Sequence, residues 1–264
     1  MRVKIEASLA YSFAQPADVL LSLEAIRSED QRIVSDQLTV TPPSDLKVAA
    51  GPESTGRRQW ITAEGDVDIS YTGLVDVCRA PVDFSGLRVP PRRDLPYDVI
   101  RYLLPSRYCE SDKLAPFAES RFWGMEGGDL VLNMADWVYK NFAYSPGSSN
   151  ETTTATDTFL LRRGVCRDYA HTLISFCRAM GVPARMVSAY APDIDPPDFH
   201  AVVDVWLDND WHLIDPTRLS SEDNLVRIAI GRDATDISFM TIFGAATLRD
   251  QRVNVSVVAP ETAG

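Results

Sequence analysis

Three residues in the second half of the chain have the chemistry of a thiol enzyme. In chain order they are Cys166, His200 and Asp215. A thiol can act as a nucleophile, an imidazole can take and return its proton, and a carboxylate can hold that imidazole in one orientation. We therefore predict a Cys-His-Asp site, provided that the surrounding elements bring the three side chains together.

The helix predicted to begin at Cys166 favours a reactive thiol. Residues 166–180 have apolar side chains at helical spacing, and Gly181 ends the run. A helix N-terminus carries about half a positive charge and several unpaired N–H groups, which favour a thiolate and can stabilise an oxyanion. Cys177 lies mid-helix among apolar residues, so we assign it to the core.

A predicted hairpin places His200 beside Asp215. Residues 200–207 and 210–215 have the pattern of two strands, and Asp208-Asn209 between them tolerates the positive φ angles of a two-residue turn. Pairing across that turn makes His200 and Asp215 a diagonal pair on one face, with Cα atoms about 7–8 Å apart. An imidazole and a carboxylate can span this distance with a hydrogen bond.

The other two histidines fit the site less well. His212 falls on the opposite face of the hairpin, because its position along the strand has the other parity. His171 follows Cys166 by about one helical turn and points along the helix, so we interpret it as a helix-surface or packing residue. His200 is the histidine that the hairpin provides with an acidic partner.

The bulk composition excludes several classes of function. The chain has 264 residues and a net charge of −11, which disfavours nucleic-acid binding because phosphates would be repelled. No stretch has the length and apolar character of a membrane span, and the first residues do not resemble a signal peptide. The four cysteines fit no zinc pattern. We expect no metal, no membrane association, and free thiols in a reducing cytoplasm.

The patterning predicts an α+β protein in three parts. Residues 1–80 alternate between apolar and polar side chains, as an antiparallel β-domain with one solvated face does. Residues 81–128 are interpreted as a linker and helical region, and residues 129–264 as the catalytic core. Within that core, Asp157 is expected to cap a short helix ending at Arg163, with Gly164 as its left-handed stop.

The chain resembles the transglutaminase-like superfamily, a circularly arranged relative of the papain-like cysteine proteases. The resemblance covers about residues 129–218 and is carried by separate blocks around the three site residues. These blocks are residues 141–144, 163–169, 178–185, 200–201 and 211–217. The β-region followed by residues 104–108 also resembles bacterial members of this group. The implied fold is a cysteine-bearing helix packed on an antiparallel sheet.

The resemblance implies roles for these residues. Cys166 would attack a peptide or protein carboxamide to form a thioester, with His200 as base and acid and Asp215 as the orienting group. Water or an amine would resolve the thioester, and hydrolysis is favoured over protein cross-linking. Relatives also use an upstream side chain as a second oxyanion donor, for which Tyr144 and Asn141 are candidates. No cofactor and no metal are implied.

Two departures and two alternatives accompany this interpretation. Val202 and Asp204 stand where relatives often carry Trp and Glu, which could change the substrate groove. A non-catalytic module that keeps the fold to bind a peptide or a protein is the main alternative, and a deglycosylating amidase is a second. No triad residue is missing, which favours the enzyme.

Overall fold

The computed structural model describes residues 1–258 and has two main sheets and a helical layer. The strands are β1 Arg2–Leu21, β2 Gln31–Thr41, β3 Lys47–Ala49, β4 Arg58–Val77, β5 Ala143–Tyr144, β6 Arg163–Gly164, β7 Ala184–Tyr190, β8 Phe199–Leu207, β9 Asp210–Ile214, β10 Val226–Gly231, β11 Met240–Phe243 and β12 Thr247–Val258. The helices are α1 Tyr97–Ile100, α2 Ser111–Arg121, α3 Gly127–Asn141, α4 Ala155–Leu161, α5 Cys166–Ala179 and α6 Ala234–Ile237. Three short 3₁₀ turns lie at Glu53–Thr55, Arg92–Asp94 and Arg101–Leu103.

The N-terminal sheet is built on two strands of 20 residues, β1 and β4. They pair along their length, and the order across the sheet is β11-β1-β4-β2, with β12 also on β1 and β3 on β4. The sequence pattern breaks at Gln15-Pro16, but β1 continues through it with a register irregularity between Phe13 and Ala17. One face of this sheet is buried because its apolar side chains pack against Tyr190, Val226 and Ile228 of the second sheet. The expected antiparallel N-terminal β-region is therefore present.

The sequence pattern assigns residues 129–264 to one catalytic core, whereas the last two strands of that range belong to the N-terminal sheet. Strands β11 and β12 pair antiparallel with β1, for instance Val255 with Ile5 and Val257 with Val3. Val253 and Val255 are buried in the same apolar cluster as the inner face of β1. The alternating end of the chain thus completes the N-terminal sheet, where its apolar side is covered and its backbone groups are paired. The proposed boundaries at residues 80 and 128 stay a prediction.

The second sheet and helix α5 hold the site residues. Its four strands are antiparallel, in the order β10-β7-β8-β9. Leu173 and Phe176 of α5 have no exposed surface and share one core with Val203 and Val205 of β8. The mixed α+β architecture, with a cysteine-bearing helix packed on an antiparallel sheet, agrees with the sequence prediction.

The segment before Cys166 differs from the sequence prediction in the residue that caps α4 and in the residue that has the left-handed conformation after it. Thr154 caps α4 and exchanges side-chain and backbone hydrogen bonds with Asp157, which lies inside the first turn. The left-handed residue after α4 is Arg162, with φ of 56°, whereas Gly164 does not have a positive φ. A Cβ atom on Gly164 would lie 2.6 Å from the Cβ atom of Asp168, so glycine is required there for close packing rather than for its backbone angle.

The sequence also predicts free thiols and no membrane-spanning segment. All four cysteines are free thiols in the structure. Among residues 1–258, every helix is too short or too polar to cross a membrane. The cytoplasmic location stays a prediction.

Candidate active site

The start of α5 presents Cys166 at a partly exposed position. The side chain of Asp168 accepts a hydrogen bond of 2.8 Å from the backbone N–H of Val165 and so caps the helix. Asp168 can approach this closely because Gly164 has no side chain. Cys166 is half-buried, whereas Cys177 and Cys109 are fully buried. Burial raises the pKa of the Cys109 thiol to about 12 and also raises that of Cys177.

The hairpin that carries His200 has the predicted turn and register. Asp208 and Asn209 have φ of 49° and 65°, and Leu207 pairs with Asp210. His200 Nε2 lies 2.9 Å from Asp215 Oδ2, and both side chains are almost completely buried. Cys166 also lies close enough to His200 to help raise the pKa of its imidazole. The fold therefore brings together the three residues that the sequence analysis singled out.

Asp215 is held by more partners than His200 alone. Its Oδ1 atom accepts hydrogen bonds from the backbone N–H and the hydroxyl of Thr217, at 2.9 and 2.7 Å. Its Oδ2 atom also accepts from the backbone N–H of Ser220 at 3.2 Å. In turn, the backbone N–H of Asp215 donates to Glu222 Oε1 at 3.1 Å. A buried carboxylate with this many donors keeps its charge and one orientation.

The electrostatics of the pair favour an imidazolium beside a carboxylate. Burial alone would lower the pKa of His200, but the hydrogen bond to Asp215 and the neighbouring Cys166 outweigh it and raise that pKa to about 10. Burial likewise opposes ionisation of Asp215, yet the hydrogen bond and the charge of His200 hold its pKa below 3.8, the ordinary value. Asp215 therefore stabilises the protonated form of His200.

The two candidate oxyanion donors, Tyr144 and Asn141, have different surroundings. Strand β5 pairs in parallel with β6, which sets Tyr144 opposite Gly164 at the entrance to α5. Tyr144 also lies close enough to Cys166 for the thiol to affect the pKa of its hydroxyl. Burial and the neighbouring Cys166 raise the pKa of Tyr144. Asn141 is exposed, and its side-chain amide donates to the Trp137 carbonyl at 2.8 Å within α3.

The remaining histidines are engaged elsewhere. His212 Nε2 lies 3.1 Å from the Leu207 carbonyl, on the side of the hairpin that contacts Phe84. His171 is fully buried and stacks on Tyr108 with ring centroids 5.1 Å apart. It is a packing residue, and burial lowers its pKa to about 3.

The two departures from the family pattern occupy structural positions. Val202 has no exposed surface and packs with Val187 and Leu213. Asp204 is also fully buried and forms an ion pair of 2.9 Å with Arg185. Neither side chain is a partner of His200 or Asp215 in the hydrogen bonds described above.

The partners that hold Asp215 were not predicted from the sequence. Thr217, Ser220 and Glu222 follow it closely in the chain, and an Asp-Pro-Thr sequence is a recognisable local signal, because Asp side chains often accept from backbone two residues on. The role of Glu222 has no comparable local signal. Among residues 1–258, no cluster of three His, Cys, Asp or Glu side chains could hold a metal ion.

Two family models match the chain. One describes the transglutaminase-like superfamily and matches residues 123–216. The other describes the N-terminal domain of bacterial transglutaminases and matches residues 1–84. The two matches correspond to the part of the chain around Cys166 and to most of the N-terminal sheet.

Relatives and solved structures agree with these matches. A candidate cysteine protease from Cytophaga hutchinsonii is 36% identical, with a TM-score of 0.92 over 100% of this chain and 92% of that one. Uncharacterized proteins of Mycobacterium leprae and Mycobacterium tuberculosis are 31% and 30% identical over 117 and 124 residues. These matches cover 41% of this chain and only 42% and 40% of the mycobacterial proteins. The chain belongs to the transglutaminase-like superfamily, a family of cysteine-based catalysis, and carries the bacterial transglutaminase N-terminal domain.

Proposed function

We propose that the protein is a cysteine-dependent amide hydrolase that acts on a peptide or protein carboxamide. One observation carries the proposal: His200 forms a hydrogen bond of 2.9 Å with Asp215, and Cys166 at the start of α5 lies close enough to help raise the pKa of His200. Cys166 is the nucleophile, His200 the base and acid, and Asp215 the group that orients His200. The similarity to a candidate cysteine protease supports hydrolysis.

The first half of the reaction acylates Cys166. The thiolate attacks the carbonyl carbon, and the negative charge that develops on the carbonyl oxygen is stabilised by N–H groups at the start of α5. The imidazolium of His200 then donates its proton to the leaving nitrogen. The C–N bond breaks, an amine or ammonia leaves, and a thioester remains on Cys166.

The second half frees the enzyme. His200, now neutral, takes a proton from an incoming water as the water attacks the thioester. Collapse of the tetrahedral intermediate breaks the C–S bond and releases a carboxylic acid. An amine in place of water would give a new amide, which is the acyl-transfer outcome. Asp215 keeps one imidazole orientation through both halves, because its other oxygen is tied to Thr217.

Alkylation with iodoacetamide near neutral pH tests the activated thiol. We expect fast labelling at Cys166 alone, since Cys109 and Cys177 are buried and their raised pKa values keep them as thiols. Labelling should slow in the variant His200→Ala. Intact-mass spectrometry followed by peptide mapping measures the rate and the site. The exposed Cys78 is an internal control for an ordinary thiol.

Equal, slow labelling of Cys166 and Cys78 in the wild type would contradict the proposal. Turnover then separates an enzyme from a binding module that retains the fold. Peptide amides are incubated with and without added amines, and products are identified by mass. Release of acid supports hydrolysis, amide exchange supports acyl transfer, and binding without product supports the module.

We further propose that the Tyr144 hydroxyl is the second oxyanion donor. Its position opposite Gly164 and its proximity to Cys166 support a hydroxyl close to the N–H groups at the start of α5. Tyr144→Phe removes one donor and is expected to lower kcat about 10²- to 10³-fold with a small change in KM. Tyr139→Phe is the matched control, since both tyrosines are 43% exposed. Equal kcat values for the two variants would exclude the role.

A further inference from the structure

The segment that holds Asp215 connects the two outer strands of the second sheet. We call residues 216–225 the Asp215 loop. It contains Ser220, whose N–H donates to the Asp215 carboxylate, and Glu222, whose carboxylate accepts the Asp215 N–H. The orientation of Asp215 therefore depends on where this loop lies.

Arg79 binds the Asp215 loop from outside the second sheet. It lies just after β4, and its side chain is only 9% exposed. Its Nη1 atom donates to the backbone carbonyls of Glu222 and Leu225 at 2.6 and 3.1 Å. These are main-chain contacts near both the Glu222 side chain and the start of β10, so they restrain the path of the loop.

Arg79 is itself anchored to the N-terminal β-domain by Asp30. Its Nε atom donates to Asp30 Oδ2 at 2.6 Å, and the backbone N–H of Cys78 donates to the Asp30 carbonyl at 2.9 Å. The same carboxylate receives both bonds of Arg227 Nη1, at 2.8 and 2.6 Å. Burial opposes ionisation of Asp30, but Arg227, Ser28 and Arg79 lower its pKa to about 2.

Other contacts also hold parts of the Asp215 loop. Arg218 pairs with Asp136 at 2.9 Å, and Leu225 is fully buried in an apolar cluster. Asp193 accepts from Ser220, Ser221 and Asn224, but at longer distances of 3.5, 3.5 and 3.3 Å. One side of the loop borders a cavity of about 240 Å³, with Arg79 and Glu222 in its wall. Apolar packing is therefore incomplete around Glu222, and Arg79 supplies a short, charge-assisted hydrogen bond to the Glu222 carbonyl there.

We propose that Arg79 is a positioning residue through which the N-terminal β-domain holds the Asp215 loop and so maintains the hydrogen bond between Asp215 and His200. The residues run in contact from Asp30 through Arg79 and Glu222 to Asp215. Only the catalytic consequence rests on the proposed function; the coupling to His200 does not. The N-terminal domain thus has a part in the site that its distance in sequence does not indicate.

The domain interface has a second attachment that does not pass through Arg79. The side chain of Gln31 donates to the carbonyls of Ile26 and Arg227 and accepts the Arg227 N–H at 2.7 Å. The two sheets also share an apolar core. Removing Arg79 should therefore leave the two domains attached while freeing the loop carbonyls, which makes the proposal testable in the intact protein.

The experiment compares Arg79→Gln and Arg79→Lys with the control Arg249→Gln. Arg249 also pairs with carboxylates, those of Asp66 and Asp68, but on the outer part of the N-terminal sheet. The readout is the NMR titration midpoint of His200, assigned among the three histidines of the chain. We expect Arg79→Gln to lower this midpoint by about one pH unit, because a mobile carboxylate stabilises the imidazolium less. Arg79→Lys should give a smaller shift, since lysine keeps the charge but not the fork of donors.

Turnover provides the second readout. For the peptide amide that the wild type cleaves fastest, we expect Arg79→Gln to lower kcat about 10- to 100-fold with little change in KM, as misplacement of a catalytic group does. A variant with a lower Tm but an unchanged His200 midpoint and unchanged kcat per folded molecule would overturn the proposal. If Arg79→Gln does not fold, Asp30→Asn replaces it, and an unshifted His200 midpoint there would overturn the proposal equally.

The two proposals fail in different ways. Retention of full turnover by His200→Ala would remove the proposed function, while a shifted His200 midpoint in Arg79→Gln would still support the coupling. Loss of turnover in His200→Ala with no shift in Arg79→Gln would leave the proposed function standing and remove the coupling.

Discussion

Replacing His200 with alanine is expected to lower kcat/KM for a peptide amide about 10⁴- to 10⁶-fold, the largest effect of any histidine substitution in this chain. His200 contacts both Cys166 and Asp215, so its loss removes the proton acceptor for the nucleophile and the donor for the leaving group. The activity that remains would come from oxyanion stabilisation and substrate binding, which do not need the imidazole. Steady-state kinetics on the best peptide amide measure the loss.

His212→Ala is the matched control for this variant. It lies in the same hairpin, and its ring nitrogen contacts the Leu207 carbonyl on the other side. We expect its kcat/KM to stay within about threefold of the wild type, with any change traceable to stability. A His212→Ala variant as inactive as His200→Ala would show that the hairpin, rather than His200, is what the substitutions disturb.

Asp215→Asn is expected to lower kcat about 10³- to 10⁴-fold near neutral pH and to change the pH profile. Asparagine has nearly the same shape, but its single amide oxygen can accept from Thr217 or from Ser220 and not from both, and the negative charge beside His200 is lost. The wrong imidazole tautomer then becomes accessible, and the imidazolium loses its stabilisation. The kcat loss therefore reflects electrostatics and orientation, with little contribution from packing.

The direction of the pH effect follows from the pKa shifts. In the wild type, the pKa of His200 is raised to about 10, so the imidazolium persists into alkaline solution. Loss of the Asp215 charge lowers that pKa, and the alkaline limb of kcat/KM should move to lower pH. An unmoved alkaline limb in Asp215→Asn, with Asp236→Asn as the control carboxylate, would contradict the assignment.

The same pair contributes to stability in a defined pH window. The pKa of His200 is raised above its ordinary value of 6.5, so its contribution is complete below pH 6.5 and is lost as the pH rises through about 10. The pKa of Asp215 is lowered, so its contribution is present above 3.8 and is lost as the pH falls. The pair therefore stabilises the fold most between pH 3.8 and pH 6.5.

Local sequence was sufficient to predict those parts of the candidate site whose geometry is set by residues close together in the chain. Asp208 and Asn209 adopt positive φ, and a two-residue turn leaves one register, which puts His200 and Asp215 on one face and His212 on the other. The start of α5 was equally predictable, because apolar side chains at helical spacing begin within a few residues of Gly164. The resemblance to the transglutaminase-like superfamily rested on these same blocks.

Contacts between segments that are distant in the chain could not be predicted from these local patterns. The choice of Tyr144 over Asn141 near Cys166 depends on the parallel pairing of β5 with β6, two strands of two residues each. Strands that short have no periodicity to detect. The sequence pattern predicts the left-handed residue at Gly164, whereas the structure has it at Arg162. Glycine is needed at position 164 because Asp168 packs closely against it, and turn propensities do not encode such a contact.

The sequence by itself determined the residues of the proposed site, which are a thiol at a helix start and an imidazole and a carboxylate matched across one hairpin, together with the family to which the chain belongs. Tertiary structure alone decided that β12 returns to β1 and that Arg79 reaches Glu222, 143 positions along the chain. Alternation shows that a strand has an apolar face, but not which sheet will cover it. Likewise, a buried arginine finds its carbonyl acceptors only after both domains have packed.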